Sequence, residues 1–477
     1  MTDFQAPVAE QLFVLDALVG LARLSELPGY EHVDVEIVSE LLAESGRLAS
    51  DVVAPLNRLG DTEGCELVDG RVKTPAGFKQ AYEQFIAAGW PAVGFPEAYE
   101  GGGFPSVVAL AILEQFTAAS MAFSLCPILT YSCVEILLEN GSETQKEQYL
   151  TKLVTGEWTG TMNLTEPDAG SDVGALRMRA EPQADGTYRL FGQKIFITYG
   201  SHDFTENTIH IVIARTPDAP AGTKGISCFI VPDRLLDDDG EPGEPNDVRP
   251  VSVEHKLGIH ASPTCVMSYG DTDGAVGYLI GEEFRGMSYM FTMMNNARLS
   301  IAVQGLAISE RAYQPAVEYA RTREQGRVVG RAAGSAIVGH PDVRRMLMTM
   351  RCQIDAMRAV MYRNAAARDV ASKHPDAETR EHGAGEAALL TPISKGWGTD
   401  LGVEMTSLAV QVFGGMGYVE EAGVAQHYRD ARIAPIYEGT NGIQAIDLVG
   451  RKLALDDGKV IDRYLAEMAV TVESLPP

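Results

Sequence analysis

Apolar residues recur at intervals of three and four along Val38 to Leu56, Phe78 to Ala88 and Val107 to Glu135, the spacing of a helix face. Residues 1–157 therefore read as a helical domain. The run Gly101-Gly102-Gly103-Phe104-Pro105 interrupts it. Glycine-rich loops can cradle phosphate, but this one follows no clear strand and carries no Lys-Ser/Thr, so a plain turn is expected. Over 158–282 the period shortens. Tyr188 with Leu190, Ile195-Phe196-Ile197, Ile209 to Ile213 and Cys228 to Val231 read as strands. Asp185-Gly186, Pro217 to Gly222 and the acidic run Asp237 to Asp247 separate them, the last expected as a solvated loop. Short strands at this spacing predict a small antiparallel barrel or sandwich. Over 283–455 long helices return. Leu347, Met350, Ile354, Met357 and Met361 step along one face, so methionine is expected there as core filler rather than as an adaptable binding surface. A further amphipathic helix begins within 456–477. The order helical, β, helical predicts a mostly α fold with a central β domain.

Charge and cysteine usage narrow the chemistry. The 477 residues include 39 Lys+Arg and 65 Asp+Glu, a formal net charge of -26. Without a basic run such a chain suits a nucleic-acid backbone poorly, so no nucleic-acid partner is expected and the charge serves solubility. No stretch of about 18 uninterrupted apolar residues marks a membrane span. Met1-Thr2-Asp3-Phe4 lacks a basic then apolar leader, and a cytoplasmic location is the expectation. Cys65, Cys126, Cys133, Cys228, Cys265 and Cys352 stand far apart without a Cys-x-x-Cys pair. That spacing suits neither a disulfide framework nor zinc, so buried reduced thiols and no metal are expected.

Two peptides carry candidate chemistry. Leu164-Thr165-Glu166-Pro167-Asp168-Ala169-Gly170-Ser171-Asp172 gathers hydroxyls, glycine and backbone N–H groups after a proline, a loop able to line a flat polar ring or an anion. Its bland alternative is a β-turn. Tyr437-Glu438-Gly439-Thr440-Asn441-Gly442-Ile443-Gln444 sets one carboxylate between apolar stretches. Desolvation there would raise its pKa and make Glu438 a base near neutral pH. Its bland alternative is a helix start capped by Thr440.

Together, and in the helical–β–helical order, the two peptides resemble those of the acyl-CoA dehydrogenase flavoproteins. Pro96-Glu97 with Gly101-Gly102-Gly103, Gly192-Gln193-Lys194-Ile195-Phe196-Ile197-Thr198, Asn295-Asn296-Ala297-Arg298, Tyr319-Ala320-Arg321-Thr322-Arg323 and Gln411-Val412-Phe413-Gly414-Gly415-Met416-Gly417 extend the likeness over nearly the whole chain. The resemblance implies an N-terminal helical domain, a middle β-barrel, a C-terminal four-helix bundle and bound FAD. It implies that Met162, Leu164, Thr165, Gly170 and Ser171 lie along the flavin, with Thr165 bonding the ring and Ser171 also meeting the thioester ligand. Phe196, Ile197 and Thr198 would close the other side. Arg323, with Gln325 after it, would face the pyrophosphate, as a guanidinium fork suits. Gln411, Gly414 and Gly415 would reach the FAD of a neighbouring subunit, implying a homodimer or larger homo-oligomer. Asn295, Arg298, Tyr437 and Gly439 would meet the acyl-CoA, and Thr440 and Asn441 the cofactor.

Glu438 would be the catalytic base of an α,β-dehydrogenation giving a trans-2-enoyl-CoA, an oxidoreductase step of fatty-acid β-oxidation. Some family members carry the base at the position that is Ala297 here, which cannot titrate. A weakly acidic α-proton also needs hydrogen bonds to the thioester oxygen, implied to come from the Glu438 N–H and a ribityl hydroxyl. Electron-transfer flavoprotein would be the acceptor. An acyl-CoA oxidase passing electrons to oxygen is the alternative enzyme, and a silent acyl-CoA-binding scaffold the alternative of another class. Phe196 stands where the family has Trp, and Arg323-Glu324-Gln325-Gly326 lacks the family's Phe. With Gly258-Ile259-His260-Ala261-Ser262-Pro263-Thr264-Cys265 these departures resemble the larger bacterial branch that includes 3-methylmercaptopropionyl-CoA and broad-range mycobacterial dehydrogenases, whose members carry a further C-terminal helical domain. His260 itself reads as a structural turn residue rather than an acid or base. The acyl chain is not legible from spacing.

Overall fold

The computed structural model describes residues 4–330 and 334–475, without the side chains of Thr292, Met293, Asn295 and Asn296. In chain order come α1 (Val8–Phe13), α2 (Leu21–Leu24), α3 (Val35–Leu48), α4 (Leu56–Glu63), the hairpin β1 (Glu66–Val68) and β2 (Arg71–Lys73), α5 (Phe78–Ala87), α6 (Ser106–Ala119), α7 (Met121–Asn140) and α8 (Glu143–Thr155). Strands follow: β3 (Thr159–Asn163), β4 (Arg179–Pro182), β5 (Tyr188–Thr198), β6 (Thr208–Ala214), β7 (Ser227–Pro232), β8 (Arg234–Leu236), β9 (Pro242–Pro245), β10 (Val248–Val253), β11 (Thr264–Tyr269) and β12 (Ala275–Leu279). Then come α9 (Gly286–Thr322), α10 (Pro341–Lys373), α11 (Ala377–Phe413), α12 (Val424–Ala431), α13 (Asn441–Asp447) and α14 (Lys459–Ser474). These pack into two compact units, one of Met1–Ala54, Gly103–Ala119 and Arg298–Pro477, the other of Pro55–Gly102 and Ser120–Ala297.

The sheet unit is organised by two-residue alternation. Ile209, Ile211 and Ile213 of β6 enter one apolar core with Leu137, Leu150 and Trp158 of the helical side. Val212 and Ala214 enter the opposite core with Val72, Phe229 and Tyr269. The ladder runs β10-β11-β5-β12-β7-β6-β3, with β4 on β5. Two sequence expectations change here. β3 pairs with β6 in parallel rather than antiparallel, and the hydrogen-bonded path is open, ending on β10 and β3 among the described residues rather than closing into a barrel. The sheet nevertheless curls, because Thr161 Oγ1 of β3 donates to the Thr198 carbonyl of β5 at 2.6 Å. Tyr188 to Ile197 forms one long strand instead of two. The acidic run is also not all loop: Pro242–Pro245 pairs with Arg234–Leu236, and the Asp237 carboxylate closes the turn by accepting from Asp239 N at 2.9 Å and Glu241 N at 3.0 Å.

Helix α7 seats the sheet. A Cβ on Gly160 of β3 would fall 2.5 Å from Cys133 Cβ, so only glycine allows this approach, and Gly160 N donates to Thr130 Oγ1 at 3.0 Å. By length and composition α7 is apolar enough to cross a bilayer, but 83% of its apolar window is buried within the protein, as befits a core helix. The apolar stretch Val107 to Glu135 is not one helix. Ser120 turns extended (φ -156°, ψ 108°), ends α6 and caps α7 by accepting from Phe123 N at 3.4 Å. Gly101 and Gly102 form the plain turn expected, donating to Pro96 O at 3.0 Å and Ala92 O at 2.9 Å.

In the helical unit the expected four-helix bundle takes the form of three long helices, α9, α10 and α11, with short α12 and α13 packed on α11. Met350, Ile354, Met357 and Met361 are fully buried, as core filler should be. Small residues set the α9–α11 crossing. A Cβ on Gly305 would fall 2.1 Å from the Gly398 carbonyl oxygen, and one on Gly402 would fall 2.8 Å from Gly305 Cα. Backbone therefore meets backbone, which brings the part of α11 carrying Lys395 beside the two turns of α9 that carry Arg298 and Gln304.

Candidate active site

Between α12 and α13 the chain passes through a tight turn. Tyr437 N donates to Ile433 O at 3.2 Å and Asn441 N to Pro435 O at 3.0 Å. Thr440 caps α13 by accepting from Ile443 N at 3.2 Å, so the helix-start reading of this peptide holds as local structure. Glu438 (φ 53°) and Gly439 (φ 83°) are both left-handed. For Glu438 that conformation costs roughly 1–2 kcal/mol, a strain held by its surroundings. A side chain on Gly439 would clash with Gln444, whose Nε2 lies 2.8 Å from the ideal Cβ position, and would lie 3.7 Å from Arg298 Nη2.

Three elements hold this turn. From α11, the fully buried Lys395 donates to Gly439 O at 2.8 Å and to Asn441 Oδ1 at 3.0 Å. From α13, Gln444 Nε2 donates to Gly439 O at 3.1 Å. From α9, Gln304 Oε1 accepts the Tyr437 hydroxyl, and Arg298 pairs with Asp447 at 3.4 Å. Burial pushes the Glu438 carboxyl above its ordinary value, while the cations of Arg298 and Lys395 pull it back. Burial pushes Lys395 down to about 8, opposed by Glu438. A half-buried carboxyl, lifted by burial and faced by two cations, thus stands on a strained turn.

The sheet unit carries the other peptide. Glu166 and Ala169 exchange backbone hydrogen bonds of 3.0 Å, so the β-turn reading also holds as local form. The Glu166 carboxylate anchors it by accepting from Arg177 N at 2.6 Å, Met178 N at 3.1 Å and buried Lys194 at 2.9 Å. Lys194 also donates to Leu164 O at 3.0 Å, and burial lowers its pKa to about 8 against the pull of Glu166. Gly170 and Ser171 are exposed, Leu164 and Thr165 half-buried. Across the loop, Ile195 N donates to Thr165 O at 2.9 Å. Beside it β5 bulges: Cys265 faces Ile197 but Met267 faces Lys194, which leaves one extra residue on β5. Phe196 sits in that bulge with φ 59° and is 59% exposed. Bulges re-aim side chains, and an exposed aromatic there offers a flat apolar face. Met162 and Ile197, by contrast, turn their side chains into the cores, leaving backbone toward the loop.

Several other sequence-predicted residues lie at the far ends of α9 and α11. Tyr319 stacks on Phe413 (4.3 Å, 15°), bringing the end of α9 to the end of α11. Exposed Arg323, Gln325 and Gln411 gather there with Gly414 and Gly415, where an added Cβ would meet nothing within 4 Å. At the helical rise, Gln411 is roughly 24 Å along α11 from Lys395. The Asn441 side chain is engaged with α11, bonding Lys395, Gly396 O and Asp400. Asn295 is in α9, but its side chain lies outside the described residues. His260 is tied by Nδ1 to Asp61 at 2.9 Å and by Nε2 to Lys256 O at 2.8 Å, a structural tether. Cys126, Cys133, Cys228 and Cys265 are buried free thiols, whereas Cys352 is exposed, contrary to expectation. No group of metal-ligating side chains is found among the described residues. Lys395, Gln304 and the Glu166–Lys194 pair escaped the sequence reading; the one available signal was a lone lysine among the small and apolar residues of α11.

Three families match the chain in succession: "Acyl-CoA dehydrogenase, N-terminal domain" over 62–157, "middle domain" over 161–272 and "C-terminal domain" over 285–454. A 3-methylmercaptopropionyl-CoA dehydrogenase of Ruegeria pomeroyi is 48% identical over 470 residues, covering 98% of this chain and 79% of that protein. A broad-specificity linear acyl-CoA dehydrogenase of Mycobacterium tuberculosis is 35% identical, covering 99% and 79%. Among solved structures, butyryl-CoA dehydrogenase from Megasphaera elsdenii superposes with a TM-score of 0.71 at 29% identity, covering 87% of this chain and 98% of that one.

Proposed function

This chain belongs to the acyl-CoA dehydrogenase family, and on that footing we propose that it converts a short acyl-CoA thioester into its trans-2-enoyl-CoA with Glu438 as the base. The observation that carries the assignment is the Glu438 turn, where burial lifts the carboxyl and Arg298 and Lys395 oppose it. Glu438 takes the α-proton, and its own backbone N–H donates to the thioester oxygen as negative charge gathers there. Arg298, already paired with Asp447, acts on Glu438 through its charge. Tyr437 and Gly439, with Asn295, Arg298 and Ser171, are assigned to the acyl-CoA.

FAD is the cofactor in this reading, and when bound it supplies the acceptor for the hydride leaving the β-carbon. The residues present fit it: an exposed Phe196 ring re-aimed by a bulge, and hydroxyls at Thr165, Ser171 and Thr198. Met162, Leu164, Gly170 and Ile197 are assigned backbone contacts, and Thr440 and Asn441 are likewise assigned to the cofactor. Arg323, Gln325, Gln411, Gly414 and Gly415 are assigned to the FAD of a second copy, because roughly 24 Å of α11 separates Gln411 from Lys395. The chain is then a homodimer or larger. We further read residues 1–157, 158–282 and 283–455 as consecutive domains, with 456–477 starting a further helical region, and the curled sheet as barrel-like. The acceptor is electron-transfer flavoprotein and the location cytoplasmic.

A short substrate, methylthiopropionyl-CoA among them, is supported by the likeness to the Ruegeria protein. Mixing the yellow protein anaerobically with acyl-CoAs of increasing length tests it. The expected result is flavin bleaching, fastest with short chains, and a product lighter by two hydrogens. Absence of any such product across the series overturns the function, and rapid peroxide release in air would assign an oxidase instead.

A further inference from the structure

Lys395 is an unusual group to find where it lies. It is fully buried on α11, yet its hydrogen bonds end on neutral acceptors, the Gly439 carbonyl at 2.8 Å and Asn441 Oδ1 at 3.0 Å. A buried ammonium normally sits against a carboxylate. The groups facing it are Glu438 in the turn, Arg298 from α9 and Asp400 one turn further along α11. Asp400 accepts from Asn441 Nδ2 at 2.7 Å and is exposed to solvent. Arg298 shares Asp447 with Arg451, which pairs with that carboxylate at 2.7 Å, and the Arg298 charge also reaches Glu438. The charge left to answer the Lys395 ammonium inside the protein is therefore Glu438, whose own carbonyl-side neighbour Lys395 grips. The same lysine thus fixes the backbone on which the base stands and faces its carboxylate.

We propose that Lys395 is a positioning residue for Glu438: its ammonium pins the Gly439 carbonyl and the Asn441 side chain and, through space, adds to Arg298 a second positive charge against which the Glu438 carboxylate forms. This rests on Glu438 being the base. Two roles follow and they separate by substitution. Lys395→Gln keeps a donor for Gly439 O without the charge, Lys395→Met removes both, and Lys395→Arg keeps the charge with altered geometry.

The test is the acid limb of the pH profile of kcat/KM in these three variants of the intact holoenzyme, with folding checked by circular dichroism. Both uncharged variants should move the limb to higher pH, losing about tenfold or more at its acid end and less at its alkaline end. Lys395→Arg should hold the limb near its wild-type position even where kcat falls. An acid limb unmoved in Lys395→Gln, with a uniform loss at all pH values, would reduce Lys395 to a structural tether and overturn the proposal. Infrared difference titration of the Glu438 carboxyl, assigned by subtracting the Glu438→Gln spectrum, reads the same coupling without turnover. If Glu438→Gln keeps its turnover, the functional reading fails, while the infrared shift still reports whether Lys395 governs the carboxyl.

Discussion

Glu438 holds a left-handed backbone at φ 53° beside a glycine at φ 83°, and its carboxyl is lifted by burial against two cations. Only the carboxylate accepts a proton, so kcat/KM should rise as pH increases through the raised Glu438 value, a pH–rate series being the check. The same shift has a stability sign. The folded protein binds this proton more tightly than the unfolded chain, so between the ordinary and the raised value stability falls as pH rises. Glu438→Gln should remove that slope: relative to wild type its Tm should be higher above the window than below it, which thermal melts at several pH values measure. Much of this residue was legible in the sequence, since one carboxylate among glycine, threonine and isoleucines forecasts desolvation. Its partners were not. Lys395, Gln304 and Arg298 reach the turn from helices distant in sequence, and no local spacing says which way a lysine inside a long helix points.

At the scale of elements, the loop and bulge of the sheet unit depend on a buried pair. Lys194 and Glu166 lie 2.9 Å apart with side chains 0% and 8% exposed. Lys194→Met leaves the carboxylate and the Leu164 carbonyl without their cation, and should cost about 3–5 kcal/mol in denaturant unfolding. FAD should also leave the variant more readily on gel filtration. In the helical unit, Gly305→Val forces a branched side chain where even a Cβ would fall 2.1 Å from the Gly398 oxygen. It should cost about 1–3 kcal/mol or more and lower the Tm, as overpacking does. Strands β6 and β7 announced themselves because alternating large apolar residues serve two cores. The Phe196 bulge, the parallel β3–β6 pair and the break at Ser120 did not. Bulge and pairing direction are set by partner strands, and Ser120 interrupts an apolar run without altering its hydrophobicity.

For the whole molecule, the succession of periods along the chain gave helical, β and helical regions, but packing interleaves them into units that a linear reading does not foresee. The helical unit offers one patch at the Glu438 turn and another at the ends of α9 and α11, and the second is assigned to another subunit's cofactor. Gln411→Ala and Arg323→Ala should therefore lower FAD retention about tenfold or more while leaving the acid limb of the pH profile in place; sedimentation should find a homo-oligomer. A monomer fully loaded with FAD contradicts that assignment. In the proposed reaction one carboxylate begins the chemistry by taking the α-proton. This step is tested most directly by mixing FAD-loaded Glu438→Gln anaerobically with a short acyl-CoA and following the flavin absorbance. The variant should be as yellow as wild type, with bleaching slower by at least roughly 10²–10⁴; bleaching at the wild-type rate would take Glu438 out of the reaction.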